Sequence, residues 1–83
     1  MNRLEELEEN FPEVDEIIKF IKSQGTLDIN LRKLQKKFFG RILEGKAYRR
    51  FYDRVRMAAK KIEQEMKGKY EKTGTGYWRF IKM

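Results

Sequence analysis

One segment constrains this chain more than any other: its apolar side chains recur at helical spacing while the rest of its cylinder is cationic. From Lys46 to Lys61 there are seven basic residues and one acid, Asp53. Tyr48, Phe51, Tyr52, Val55, Ala58, Ala59, Ile62 and Met66 form the apolar set. At about 100° per residue, all fall within roughly 60° of Val55. Lys46, Arg49, Arg50, Arg54, Arg56, Lys60 and Lys61 cover the remainder. A helix divided in this way buries one stripe in a core and turns its charge outward. Arg50 with Arg54, and Arg56 with Lys60, are like-charge pairs at i,i+4, which weaken an isolated helix. An anion would relieve that repulsion. The plainer alternative is a solvated surface helix in which Asp53 bridges Arg49 and Arg56.

Charge is bipolar along the chain. Residues 1–28 carry three Lys/Arg against eight Asp/Glu, and residues 29–83 carry seventeen against five, so the formal +7 divides into −5 and +12. A basic domain of this kind points to a polyanion: nucleic acid first, then an anionic membrane or an acidic protein. Eighty-three residues give one small domain, 1–83, whose modest core makes a dimer or partner surface plausible.

There is no cysteine and no histidine. Disulfides, thiolate nucleophiles, zinc fingers and the commonest acid–base side chain are thereby removed. Glutamates in a helical charge run do not make an active site, so neither an enzyme nor a cofactor is expected. No run approaches the ~20 apolar residues of a membrane span. The acidic start lacks a signal-peptide pattern, and a cytoplasmic location is the expectation.

Asn2 to Asn10 reads as helix, with Leu4, Leu7 and Phe11 in one row. Pro12 suits the first turn of a second helix, separating it from the first or only bending one, and Glu13, Asp15 and Glu16 suit its positive end. Val14, Ile17, Ile18 and Ile21 form its stripe, and Gly25 stops it. Thr26 to Ile29 alternates as a very short strand. Asn30 is an N-cap for a helix from Leu31 to about Phe39, with Leu31, Leu34 and Phe38 inward and Gly40 as the stop. Gly40 to Lys46 is a connection in which Ile42 and Leu43 can tuck inward. The basic helix runs from about Ala47 to Lys67, ended by Gly68. Lys69 to Lys72 and Tyr77 to Lys82 read as strands joined by Thr73-Gly74-Thr75-Gly76, a hairpin that must pack one face on the helices.

Helix, short strand, helix, connection, basic helix and terminal hairpin is the element order of the winged helix-turn-helix DNA-binding superfamily. The chain from Pro12 to Met83 resembles it in that order and in where the charge sits. Asp28-Ile29-Asn30-Leu31-Arg32-Lys33-Leu34-Gln35-Lys36-Lys37-Phe38 is most like the first helix of the pair. The resemblance implies an α+β fold: a small winged helix-turn-helix with three to four helices and a C-terminal β-hairpin wing, residues 1–11 being an acidic helical extension. One departure is the turn between the paired helices. It usually spans about three or four residues, and Gly40 to Lys46 is seven.

The resemblance also implies site residues. The helix from Ala47 would enter the major groove with its N-terminal part leading, bringing Arg49, Arg50, Asp53, Arg54 and Met57 to the bases or groove walls, with Lys46 and Lys61 beside them. Arg bridges guanine O6 and N7, and Asp53 accepts from a cytosine amino group. A hairpin tip carrying Lys69, Lys72, Thr73 and Thr75 would be the wing. Arg32, Lys33, Lys36, Lys37 and Arg41 would grip the backbone, which positions without specifying.

The expected function is therefore sequence-preferring binding of double-stranded DNA, as a transcriptional regulator or a replication or segregation accessory factor, with a viral or plasmid source suggested by its small size. A protein-interaction module for an acidic partner and an RNA-binding protein are the alternatives. Tyr48, Phe51 and Tyr52 belong to the core. Tyr70, Tyr77, Trp78 and Phe80 are the only candidates for stacking on bases, and at least two of them are expected inside. The acidic N-terminus has three readings: a homodimer contact through Leu4, Leu7 and Phe11, a nucleic-acid mimic folded onto the basic surface, or a solubilising cap.

Overall fold

The long basic segment forms a central helix, and the other elements pack around its apolar stripe. The computed structural model describes residues 11–83, and among these the fold is α+β. In chain order the elements are α1 (Val14–Ser23), β1 (Ile29–Asn30), α2 (Leu31–Phe39), α3 (Gly45–Met66), β2 (Gly68–Gly74) and β3 (Tyr77–Lys82). The helix expected over 2–10, with Leu4 and Leu7 of the dimer row, lies outside the described residues.

In α3 the predicted stripe is the buried one: Ala47, Phe51, Val55, Ala58 and Ile62 are inside. Tyr48, Tyr52 and Ala59 flank them half-buried. Met66 shares the stripe but stays 41% exposed at the helix end. Phe51 has no exposure at all. The rings of Phe39 and Phe38 pack on it at 5.2 and 6.3 Å. Phe39 reaches on to Phe11 at 5.2 Å, and Phe38 to Phe20 at 5.8 Å. This chain of rings ties all three helices together, each pair contributing ~0.5–1.5 kcal/mol beyond its buried area. Phe11, which one of the three readings of the acidic N-terminus put in a dimer row, thus packs in the protein's own core.

Helix α1 runs alongside α3 in the same direction. The contacts advance in step: Arg54 with Pro12, Lys61 with Asp15, Lys22 with Glu65. Pro12 does not occupy the first turn of α1. It precedes Glu13, whose extended backbone begins the helix and whose carbonyl accepts from Glu16 and Ile17 N–H at 3.0 and 3.1 Å.

Local signals set the ends of α2. The Asn30 side chain accepts from Lys33 N–H at 3.1 Å, and Gly40 takes the left-handed conformation with φ 72°. At the end of α3 the expectation fails by one residue. Lys67 is left-handed, with φ 53°, while Gly68 begins β2. Gly68 is needed for space: a Cβ there would overlap the Phe80 ring and stand 2.7 Å from the Ile81 carbonyl oxygen.

The sheet is antiparallel with strand order β1–β3–β2. Ile29 pairs with Trp78, Lys72 with Trp78, and Tyr70 with Phe80. The face bearing Ile29, Trp78, Phe80 and Tyr70 packs on the helices, Trp78 lying 5.8 Å from the Tyr52 ring. Tyr77, Arg79 and Ile81 point outward. Strand β2 extends beyond the expected Lys72 to Gly74, so the turn shrinks to Thr75 and Gly76. The register shifts between Lys72 and Gly74, leaving Thr73 as the extra residue of a bulge. Of the expected strand over Thr26 to Ile29 only Ile29 is in one, and that strand continues to Asn30. Among the described residues, no helix is long and apolar enough to cross a membrane.

Candidate nucleic-acid interface

The presentation of the basic helix depends on the turn before it. That turn comprises residues 40–44, shorter than the seven-residue connection read from the sequence, because α3 begins at Gly45. It is fastened from beneath by Gln35, which is 3% exposed. Gln35 Oε1 accepts from Leu43 N–H at 2.8 Å, and its Nε2 donates to the Leu31 carbonyl at 3.3 Å. Leu43 is buried while Ile42 is 42% exposed, so only one of the two expected anchors tucks in.

The hairpin tip is attached to the start of α2. Leu31 N–H donates to the Gly76 carbonyl at 2.8 Å. A groove of about 470 Å³ opens there, lined by Leu31, Arg32, Ile42, Tyr48, Thr75 and Tyr77, among others. The tip, the start of α2 and the first turns of α3 therefore share one end of the molecule. Arg32, Lys46, Arg49, Thr73 and Thr75 are exposed. Lys72, paired with Trp78, is near the tip as well.

Along α3, Lys46, Arg49, Arg50, Asp53 and Met57 all face out, Met57 being 54% exposed. Among the described residues no ion pair joins Asp53 to Arg49 or Arg56. The two bridges of the plainer reading are not made, while the face itself is solvent-exposed as that reading has it.

Three expected contacts are placed elsewhere. Arg54 is half-buried: its Nη1 donates to the Pro12 carbonyl at 2.8 Å, and its guanidinium carbon lies 5.5 Å from the centre of the Phe11 ring. That side chain fastens the chain leading into α1. Lys61 points toward α1, 3.9 Å from Asp15. Lys69 pairs with Ile81 at the base of the hairpin. Six residues at ~3.3 Å each put it about 20 Å from the turn, so it is not part of the tip.

On α2 the basic residues divide between two flanks. Arg32 and Lys36 lie on the side of Gln35 and the turn, with exposed Arg41 just beyond. Lys37 stands over the Phe20 ring of α1 at 5.7 Å, with Lys33 one turn before it on that flank. A single flat surface would not touch all five.

Sequence reasoning missed Gln35. The signal was present, since it follows Leu31 by four residues and so falls on the inner stripe, where an amide needs a partner. It also missed the polar network behind the hairpin. Tyr70 OH donates to the Leu27 carbonyl at 2.6 Å, and Phe80 N–H donates to Asp28 Oδ1 at 2.9 Å. Tyr70 N–H donates to Glu63 Oε2 at 2.6 Å. Burial above all, and then the charges of Asp28 and Glu63, push the Tyr70 phenol well above its ordinary pKa.

No protein family, curated protein or solved structure matches the chain.

Proposed function

We propose that this protein binds double-stranded DNA in the manner of a winged helix-turn-helix, and acts as a transcriptional regulator or a replication or segregation accessory factor. The observation that carries the reading is the Leu31–Gly76 hydrogen bond, which holds the hairpin tip beside the starts of α2 and α3. The strand order β1–β3–β2, with the basic helix directly before the hairpin, is compatible with a winged-helix-like fold. In this reading Lys46 and Arg49 lead α3 into the major groove, where Arg49 pairs with guanine O6 and N7 and Asp53 with a cytosine amino group. Arg32, Lys36 and Arg41 hold one strand's phosphates, and Lys72, Thr73 and Thr75 hold those reached by the wing. Arg54 is left out, because its guanidinium is engaged with Pro12 and Phe11.

The test is fluorescence anisotropy of labelled duplex DNA, single-stranded DNA and structured RNA. Neutralising about six phosphates costs duplex affinity ~10³-fold between about 50 and 200 mM salt. Lys46→Glu with Arg49→Glu is expected to abolish duplex binding. A nearly flat salt response, or an unaffected double variant, would refute the reading. Preference for RNA would favour an RNA-binding protein, and weak binding to all three an acidic protein partner.

A further inference from the structure

A second groove, of about 270 Å³, runs between α3 and the hairpin. Tyr52, Tyr70 and Trp78 line it, and the exposed Arg56 and Lys60 form part of its wall.

Its chemistry is unlike that of a leftover gap. Trp78 is half-buried, with one side on Tyr52 at an interplanar angle of 59°. Among the described residues, neither the indole N–H nor the Tyr52 hydroxyl has a hydrogen-bond partner, and neither is a sealed polar atom, so both reach solvent. Arg56 and Lys60 stand one turn apart with no ion pair or hydrogen bond among those residues. Glu63, the acid of the groove, is engaged with Tyr70 N–H. Aromatic faces, open donors and a like-charge pair on one wall together fit a ligand with a flat heteroaromatic ring and an anion attached.

We propose that this groove binds one unstacked nucleotide, with the base against Trp78 and Tyr52 and the phosphate between Arg56 and Lys60. Pockets for drug-sized ligands span ~300–1,000 Å³, so this smaller groove suits a single base. Aromatic stacking is tolerant of base identity, and paired cations are the usual grip on phosphate. Lys60 lies about 20 Å along the helix axis from Lys46. The phosphate-holding part of the groove therefore lies away from the end that meets duplex DNA, while Tyr52 and Trp78 adjoin that end, and its occupant is a free mononucleotide or a nucleotide unpaired from a strand.

Trp78 is the chain's single tryptophan, so its fluorescence reports on the groove directly. The 83-residue protein is titrated with adenosine monophosphate, ribose 5-phosphate and inorganic phosphate. Saturable quenching by the nucleotide alone is expected. Arg56→Ala with Lys60→Ala, shown by circular dichroism to be folded, should raise the half-saturating concentration roughly tenfold or more. A duplex with one extrahelical adenine, if it quenches Trp78 and is displaced by the mononucleotide, identifies a strand-borne occupant. Quenching by the mononucleotide alone identifies a free one, and either result upholds the site. Absence of saturable quenching by both, or undiminished quenching in the double variant, overturns it. Anisotropy of a fully paired duplex with the same variant reads the other interface separately, so failure of one proposal is distinguishable from failure of the other.

Discussion

Replacing Gln35 by leucine tests whether the turn before α3 is held by a buried amide. The side chain is 3% exposed, and Leu43, whose N–H it accepts at 2.8 Å, is 4% exposed. Leucine is close to glutamine in volume, so little cavity opens. The contact to the Leu31 carbonyl at 3.3 Å is the weaker loss, because that carbonyl lies in the first turn of α2 and keeps its helical partner. What remains is an orphaned Leu43 N–H, costing ~1–3 kcal/mol, partly offset by the added apolar burial. A net loss of about 1–2 kcal/mol lowers the melting temperature by ~5–15 °C in a domain of this size. Thermal unfolding followed by circular dichroism reads this directly, and the Leu43 amide should exchange faster with solvent. Gln35→Glu restores an acceptor but buries a charge, raising the folded-state pKa above the unfolded one. Its deficit should therefore shrink as the pH falls and the carboxyl becomes neutral. A leucine variant melting within about 2 °C of the parent, with unchanged Leu43 exchange, would refute the reasoning.

Other expectations follow from the same contacts. Gly68→Ala forces a methyl into the Phe80 ring and the Ile81 carbonyl, and urea unfolding should show a loss of ~1–3 kcal/mol or more. Lys67→Gly relieves a left-handed lysine at φ 53° and should stabilise by up to about 1 kcal/mol, less whatever glycine adds to the freedom of the unfolded chain. The raised Tyr70 pKa means that its neutral form is favoured by folding. Its contribution is complete below about pH 10 and is lost as the pH rises above that value. Tyr70→Phe should accordingly show a shallower alkaline decline in denaturant midpoint than the parent, and equal slopes would exclude the assignment.

Features set by neighbours in sequence were legible beforehand. The α3 stripe is a matter of periodicity, and the Asn30 cap and the Gly40 stop are each decided within one helical turn. Alternation along β3 leaves two faces, Trp78 with Phe80 and Tyr77 with Arg79 and Ile81, and only the packed core distinguishes them, taking the first. Misplaced residues depended on distant partners. Arg54 has the same spacing and charge as a groove-reading arginine, and only Pro12 and Phe11, 42 positions away in the case of the Pro12 hydrogen bond, reveal its structural task. Lys69 is a different case: its charge groups it with the tip, although the strand read from the sequence begins there, and the extension of β2 to Gly74 only lengthens its distance from the turn. Gly68 and Lys67 show competing demands at one corner. Space beside Phe80 takes the glycine, and the lysine before it accepts the left-handed turn.

Strand β2 is an outer strand of the sheet, and outer strands invite another chain to add to them. Here the N–H of Tyr70, at the centre of that strand, is occupied by the Glu63 carboxylate from the last turns of α3. The lysines at 69 and 72 on the same strand add charge that discourages a neighbour. Part of the guard is thus carried by a helix. Resistance to strand exchange is therefore linked in part to helical order: unwinding of the end of α3 withdraws Glu63 and frees the Tyr70 N–H. The end of the basic helix thus has a second task, covering one donor on the sheet's open side.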